Sequence, residues 1–456
     1  MTRMQWRIWW LASAGKFFEG MVVFMTGVAL PLLVLEFGLS ALQKGLVGAS
    51  ILAGILVGAT ALGGLADRVG RKQMFILEMA LFTVFLTLVS LAPNFPSLVV
   101  FLFGMGLALG CDYPTAHLVI SESIPSSLRG RLVLSAFGFQ AVGALAGTAL
   151  GLLILNSRES LADWRLMFAC AILPAALVVI GRLFTTQSGH WLMSQGRVAE
   201  AEAALRRLLH REPSYPQVIQ LKPAHPHPPS GPKPSFLSLF RGRTRRATIL
   251  ASIPWFLQDL GTYGIGIFTP TILAATIGVE NAHPRSLSEV IHNELMATKG
   301  AALIDALLIV GIIAAVLLAD RLGRIRLQVL GFLGCAAGLL LAAVGTRLEG
   351  SLQLVLIFAG FMLFNFMTNL GPNAMTYLIA GEVFPTPVRG LGSGFAASIG
   401  KVGAVLTSFL FPILLVKFGT AALLGGLVGA CLLGAWVTAR FAIETTGLNL
   451  ESIPHE

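Results

Sequence analysis

Gly63–Lys72 reads GGLADRVGRK and Ala319–Ile325 reads ADRLGRI, so one Asp-Arg-x-Gly-Arg turn occurs twice, each time closing an apolar run. A second pair keeps the same order: Glu122–Gly130 is ESIPSSLRG and Glu382–Gly390 is EVFPTPVRG. Both pairs are separated by nearly the same interval, so the chain is a tandem duplication. In a membrane chain, parallel repeats of this kind pack about an axis along the membrane normal and leave a cavity between them near the midplane.

The composition supports a membrane chain. Of 456 residues 55% are hydrophobic and only 12% are charged, with a mean hydropathy of +0.80. A soluble domain has no use for so much apolar surface. Twelve spans are predicted, the first over 8–36 and the last over 420–442, each long enough to cross a bilayer. The expected architecture is an all-α integral membrane protein of twelve transmembrane helices in two pseudo-symmetric six-helix halves. The halves are expected over 1–185 and 248–456, joined by a linker over 186–247. Within the linker, Val198–Arg211 has acids early and bases late, as the helix dipole favours, whereas KPAHPHPPSGPKPS is too rich in proline for a helix. The first span follows Arg3 and Arg7 without a small-residue cleavage pattern, so it is read as retained.

A net charge of +10 invites a nucleic-acid partner, but the bases gather at the N-terminus, in the linker and in the repeated turns. That distribution is the positive-inside bias, and it places both termini in the cytoplasm of a plasma (inner) membrane protein. It argues against a nucleic-acid partner. Arg241, Arg243, Arg245 and Arg246 either fix topology or meet anionic lipid. Cys111, Cys170, Cys335 and Cys431 lie in apolar spans with neither metal-ligand spacing nor a disulfide framework, and read as small packed hydrophobes. No metal, no cofactor and no catalytic residue is expected. No phosphate-cradling glycine loop or nucleophile–base motif is present, which argues against an enzyme.

Polar residues interrupt the apolar spans. In Pro254–Gly264, PWFLQDLGTYG, Trp255, Asp259 and Tyr263 fall on one helical face. A carboxylate near mid-span costs a few kcal/mol unless it faces a protein interior or a wet cavity. Asp112 and Tyr113 lie in the fourth span, Gln140 in the fifth, Asn365, Asn369 and Asn373 in the tenth, and Lys401 in the eleventh. Lys16 and Glu19 stand three apart in the first, and Glu78 begins the third. Taken singly, each has a structural explanation: an amide as interhelical glue, Lys16 reaching the surface with Glu19 as its pair, Tyr377 or His117 packed in the core. Together, hydrogen-bond donors with a fixed cation suit a small anion, and acids in the same cavity supply sites for a coupling proton. The charged turns read as gate parts: Asp67, Arg68 and Arg71 with Glu122 and Arg129 in one half, and Asp320, Arg321 and Arg324 with Glu382 and Arg389 in the other. Plain anchoring is the alternative.

These motifs resemble the major facilitator superfamily. The strings GCDYPTAHLVISESIPSSLRGR, WFLQDLGTYG, GPNAMTYLIAGEVFPTPVRGLG and GKVGA are most similar to its phosphate:proton symporter family, within the sugar-porter-like branch. The resemblance implies a phosphate site at Tyr113, Gln140, Trp255, Asp259, Tyr263 and Asn373, with Lys401 beside it. It implies proton movement through Asp112, Asp259 and Glu78. The first span departs from the family, having FFEGMVVF with Glu19 where two acids are usual, so Glu19 is the candidate substitute. The expected function is proton-coupled import of inorganic phosphate by a monomer alternating its access. The rivals are a same-fold porter of a phosphate ester, organic anion or sugar, and a non-transporting nutrient sensor. The short stretch after the last span argues against the sensor.

Overall fold

The computed structural model describes residues 1–62, 69–158, 160–210, 236–277, 287–385 and 388–446, and among them there are helices and no strands. In the first half α1 is Arg3–Phe37, α2 Ala41–Val57, α3 Arg71–Ser90, α4 Phe95–Ser123 and α5 Ser126–Ser157. The sixth span is α6 (Asp163–Cys170) continued by α7 (Ile172–Leu183). Two short helices, α8 (Gly189–Ser194) and α9 (Val198–Leu209), follow. The second half has α10 (Gly242–Ile277), α11 (Leu287–Leu322), α12 (Arg324–Gly345), α13 (Ser351–Leu370), α14 (Pro372–Glu382) and α15 (Arg389–Arg440). The helix expected over Val198–Arg211 thus ends at Leu209. The Pro-rich run, Asp67 and Arg68 lie outside the described residues, as do the side chains of Tyr113, His117 and Arg129.

Among the described residues ten helices are long and apolar enough to cross a membrane. Of these, α15 is two arms, because Gly419 at φ 76°, ψ 169° leaves helical geometry between them, where only glycine sits without strain. The 36-residue α10 opens on Arg243, Arg245 and Arg246 and carries Gln258, Asp259, Thr262 and Tyr263 within its apolar run. Counting both arms of α15 and adding α10 makes twelve spans.

Packing repeats between the halves. Helix α1 lies on α5 as α10 lies on α15, and α2 on α4 as α11 lies on α13. Across the interface α2 meets α15 and α5 meets α11. The small residues of α5 let α1 approach: a Cβ at Gly143 would stand 1.9 Å from the Phe17 carbonyl oxygen. The Gly371-Pro372 pair breaks the tenth span, since proline lacks the N–H that would continue the ladder, and this puts Asn373 in the first turn of α14. One face of the bundle, here the linker face, carries α8, α9, the turn at 320–324 and the N-terminus, whose Thr2 hydroxyl donates to the Leu208 carbonyl at 2.5 Å.

Candidate functional site

Midway through the bundle, Glu19 of α1 lies between two lysines. Lys16, one turn earlier, pairs with its Oε2, and Lys401 Nζ of α15 stands 3.3 Å from its Oε1. Lys16 is buried and does not reach the surface. Tyr263 of α10 donates its hydroxyl to Glu19 Oε1 at 3.0 Å and accepts from Lys401 Nζ at 2.6 Å and from Gln140 Nε2 at 3.1 Å. Asp259, one turn before Tyr263, has Oδ2 3.8 Å from Lys401 Nζ, and that oxygen is buried with no hydrogen bond. Two ammonium and two carboxylate groups thus balance in one buried cluster spanning both halves.

A polar string adjoins it. Gln258 Nε2 donates to Asn373 Oδ1 at 3.1 Å and to the Thr262 hydroxyl at 2.8 Å, and Asn373 Nδ2 donates to Asn369 Oδ1 at 2.7 Å. Gln140, Thr262, Tyr263, Asn369 and Asn373 line a cavity of about 20 Å³ with Phe24 and Leu308. That is room for one water. Toward the linker face the way is closed by Phe137 stacked on Tyr377, ring centroids 4.6 Å apart.

Gln140, Asp259, Tyr263, Asn373 and Lys401 of the expected site therefore come together, with Glu19 among them. Trp255 does not line the cavity: its indole lies on Gly400, where a Cβ would stand 2.6 Å from Cδ1, and meets Tyr377 edge-on at 6.4 Å. Glu78 and Asp112 form a separate cluster on Arg182 of α7, whose Nη1 is 3.3 Å from Glu78 and whose Nη2 is 2.7 Å from Asp112. Asp112 presses on the backbone of α1, where a Cβ on Gly15 would overlap its Oδ2. An acid from α4 thus fills the place where a first-span side chain would otherwise stand.

The residues expected to form gates are paired differently in part. Asp320 pairs with Arg324 at 2.9 Å, within the turn as expected. Glu382 also goes to Arg324, at 3.2 Å, and accepts from Thr445, while Arg389 donates to the Phe384 carbonyl; the expected Glu382–Arg389 pair is not formed. Arg324, itself buried, therefore holds both acids. Glu122 meets Arg71 at 3.5 Å and accepts from Ser188, and Arg321 is exposed. Arg131 and Asp320, 3.5 Å apart, link the halves across the linker face. Cys111, Cys335 and Cys431 are buried as expected, but Cys170 is exposed.

The model of the sugar (and other) transporter family matches residues 11–456. The inner membrane metabolite transport protein YgcS of Escherichia coli is 30% identical over 458 residues, covering 99% of this chain and 94% of that one. The niacin transporter NiaP of Acinetobacter baylyi is 26% identical over 457 residues, covering 99% and 97%. Among solved structures, the proton:xylose symporter XylE of Escherichia coli superposes with a TM-score of 0.76 at 20% identity, covering 98% of each chain. With this match across the helical bundle, the chain belongs to the sugar (and other) transporter family and is a membrane transporter, not an enzyme.

Proposed function

We propose that the chain carries a small anion together with protons, that inorganic phosphate is the first such anion to test, and that residues 1–185 and 248–456 are the two halves that rock about the site. The observation that carries this reading is the neutral cluster of Lys16, Glu19, Asp259 and Lys401. An anion entering a balanced, buried set of charges leaves one negative charge without a partner unless a proton enters with it. Protonating Glu19 frees both lysines, and the anion then takes its place with Tyr263 and Gln140 as further donors. Asp259 beside Lys401 is the second proton carrier: neutral, it donates to an anion oxygen, and ionised, it repels the anion toward release. Glu78 and Asp112, two acids on the single cation Arg182, hold a proton between this cluster and the linker face. The motif strings favour phosphate. An organic carboxylate is the second reading, favoured because the similar protein NiaP is named for niacin. A neutral sugar has no need of two buried lysines.

Counterflow of labelled phosphate, nicotinate and xylose in proteoliposomes, with and without a pH gradient, tests this. Counterflow of phosphate or nicotinate, driven uphill by an inward proton gradient, is expected. Xylose counterflow that survives loss of Lys401 would refute the anion site.

A further inference from the structure

Asp305 of α11 is buried near the middle of its span. Its Oδ2 is 2.8 Å from the hydroxyl oxygen of Thr148 on α5, and its Oδ1 is 3.2 Å from Asn365 Nδ2 on α13. These are neutral partners. Of the helices packed on α11, α5 presents Thr148 and α13 presents Asn365. Among the described residues no charged or titratable group of α1, α10, α12 or α14 makes an ion pair with it.

Burial among neutral partners disfavours an ionised carboxylate at Asp305, and a count of hydrogens agrees. The Thr148 hydroxyl oxygen is also 3.1 Å from the Ala144 carbonyl oxygen, which only accepts. Thr148 has one hydrogen to give. If Asp305 were ionised, that hydrogen would serve one oxygen and leave the other contact empty. If Asp305 Oδ2 carries a proton, it donates to Thr148, Thr148 donates to Ala144, and Asn365 donates to Oδ1. Every contact is then made at once, and no lone charge is buried.

Thr148 and Asp305 belong to opposite halves. Asp305 stands fifteen residues, about 22 Å of helix, before Asp320 at the linker face, so the contact closes the other side of the site. We infer that Asp305 is a proton-binding site that latches α5 to α11 on the face away from the linker. It holds a proton while that face is closed and releases it to water when the halves part there. The inference rests on alternating access in the proposed function, but not on which solute is carried.

The test uses the full chain in nanodiscs without substrate, so a failed phosphate assignment leaves it standing. In a Cys170→Ser background, spin labels at Ser157→Cys and Met296→Cys report the distance between α5 and α11 on that face. A shift to longer distances is expected as pH rises. Asp305→Asn reproduces the donor pattern of the protonated acid and should hold the short distance at every pH. Thr148→Val keeps the acid but removes its partner, and should move the opening midpoint down by about one pH unit, a tenfold change in proton concentration. Infrared spectra should show a protonated carboxyl C=O band that Asp305→Asn removes. An Asp305→Asn variant whose distances still respond to pH like the parent, or whose carboxyl band is unchanged, would overturn the inference.

Discussion

At the scale of single residues, the cluster makes Lys401 and Asp259 separable. Lys401→Met leaves Glu19 and Asp259 sharing Lys16. Breaking a buried ion pair costs about 3–5 kcal/mol, so anion counterflow should fall by at least about a hundredfold. Asp259→Asn keeps a hydrogen-bonding group of the same shape beside Lys401. Counterflow in this variant should persist while proton-driven accumulation is lost; acid-stimulated uptake equal to the parent would remove Asp259 from coupling. The rule that intramembrane charges mark candidate sites picks out Glu19, Glu78, Asp112, Asp259 and Lys401 from sequence; Glu19, Asp259 and Lys401 meet in the central cluster, and Glu78 and Asp112 meet on Arg182. The same rule applied to IDALL in the eighth span and to IGRLF in the sixth points to Asp305 and Arg182, which were passed over. Arg182 sits near a span end and reads as a topological anchor, and only folding shows it buried under two acids.

Among the elements, α12 shows how a helix start is capped by a residue far along the chain. Glu444 accepts from the backbone N–H groups of Arg324 at 3.1 Å and Ile325 at 3.2 Å, taking the place of the side-chain cap that α12 lacks. Partial burial works to raise its pKa, but hydrogen bonds from Thr446 and from those two backbone groups outweigh it and hold the carboxyl below its usual value. A depressed acid stabilises the fold above its unfolded pKa and loses that contribution as pH falls through the folded value. Much of Glu444 still faces solvent, which screens these contacts, so the effect is under about 1 kcal/mol. Thermal unfolding of the parent should therefore lose a small increment of stability below the usual carboxylate range that Glu444→Gln does not show. The repeated turn was legible as a motif. Glu444 was not, because its partner lies more than a hundred residues earlier and no spacing rule reaches that far.

At the scale of the whole molecule, opening on the face away from the linker requires α2 to leave α15. A Cβ at Gly45 would stand 2.2 Å from the Phe409 carbonyl oxygen, a backbone atom that cannot turn aside. Gly45→Leu should bias the protein toward that open state, raising the reactivity of a cysteine placed at Gln140 toward an impermeant reagent on that side. No rise would mean that α2 and α15 do not form the closure there.

The duplication, the spans, the family and the residue types of the site were all written in the order of the amino acids, because turns, apolar lengths and charges are local and repeat. Which side chains met was settled only by packing. The break at Gly371-Pro372 brought Asn373 to the cavity, and the fit of α1 against α4 and α5 put Asp112 at Gly15 and Glu19 between two lysines. Those contacts join residues far apart in the chain, and their partners are chosen by helix rotation and depth, which no single segment encodes.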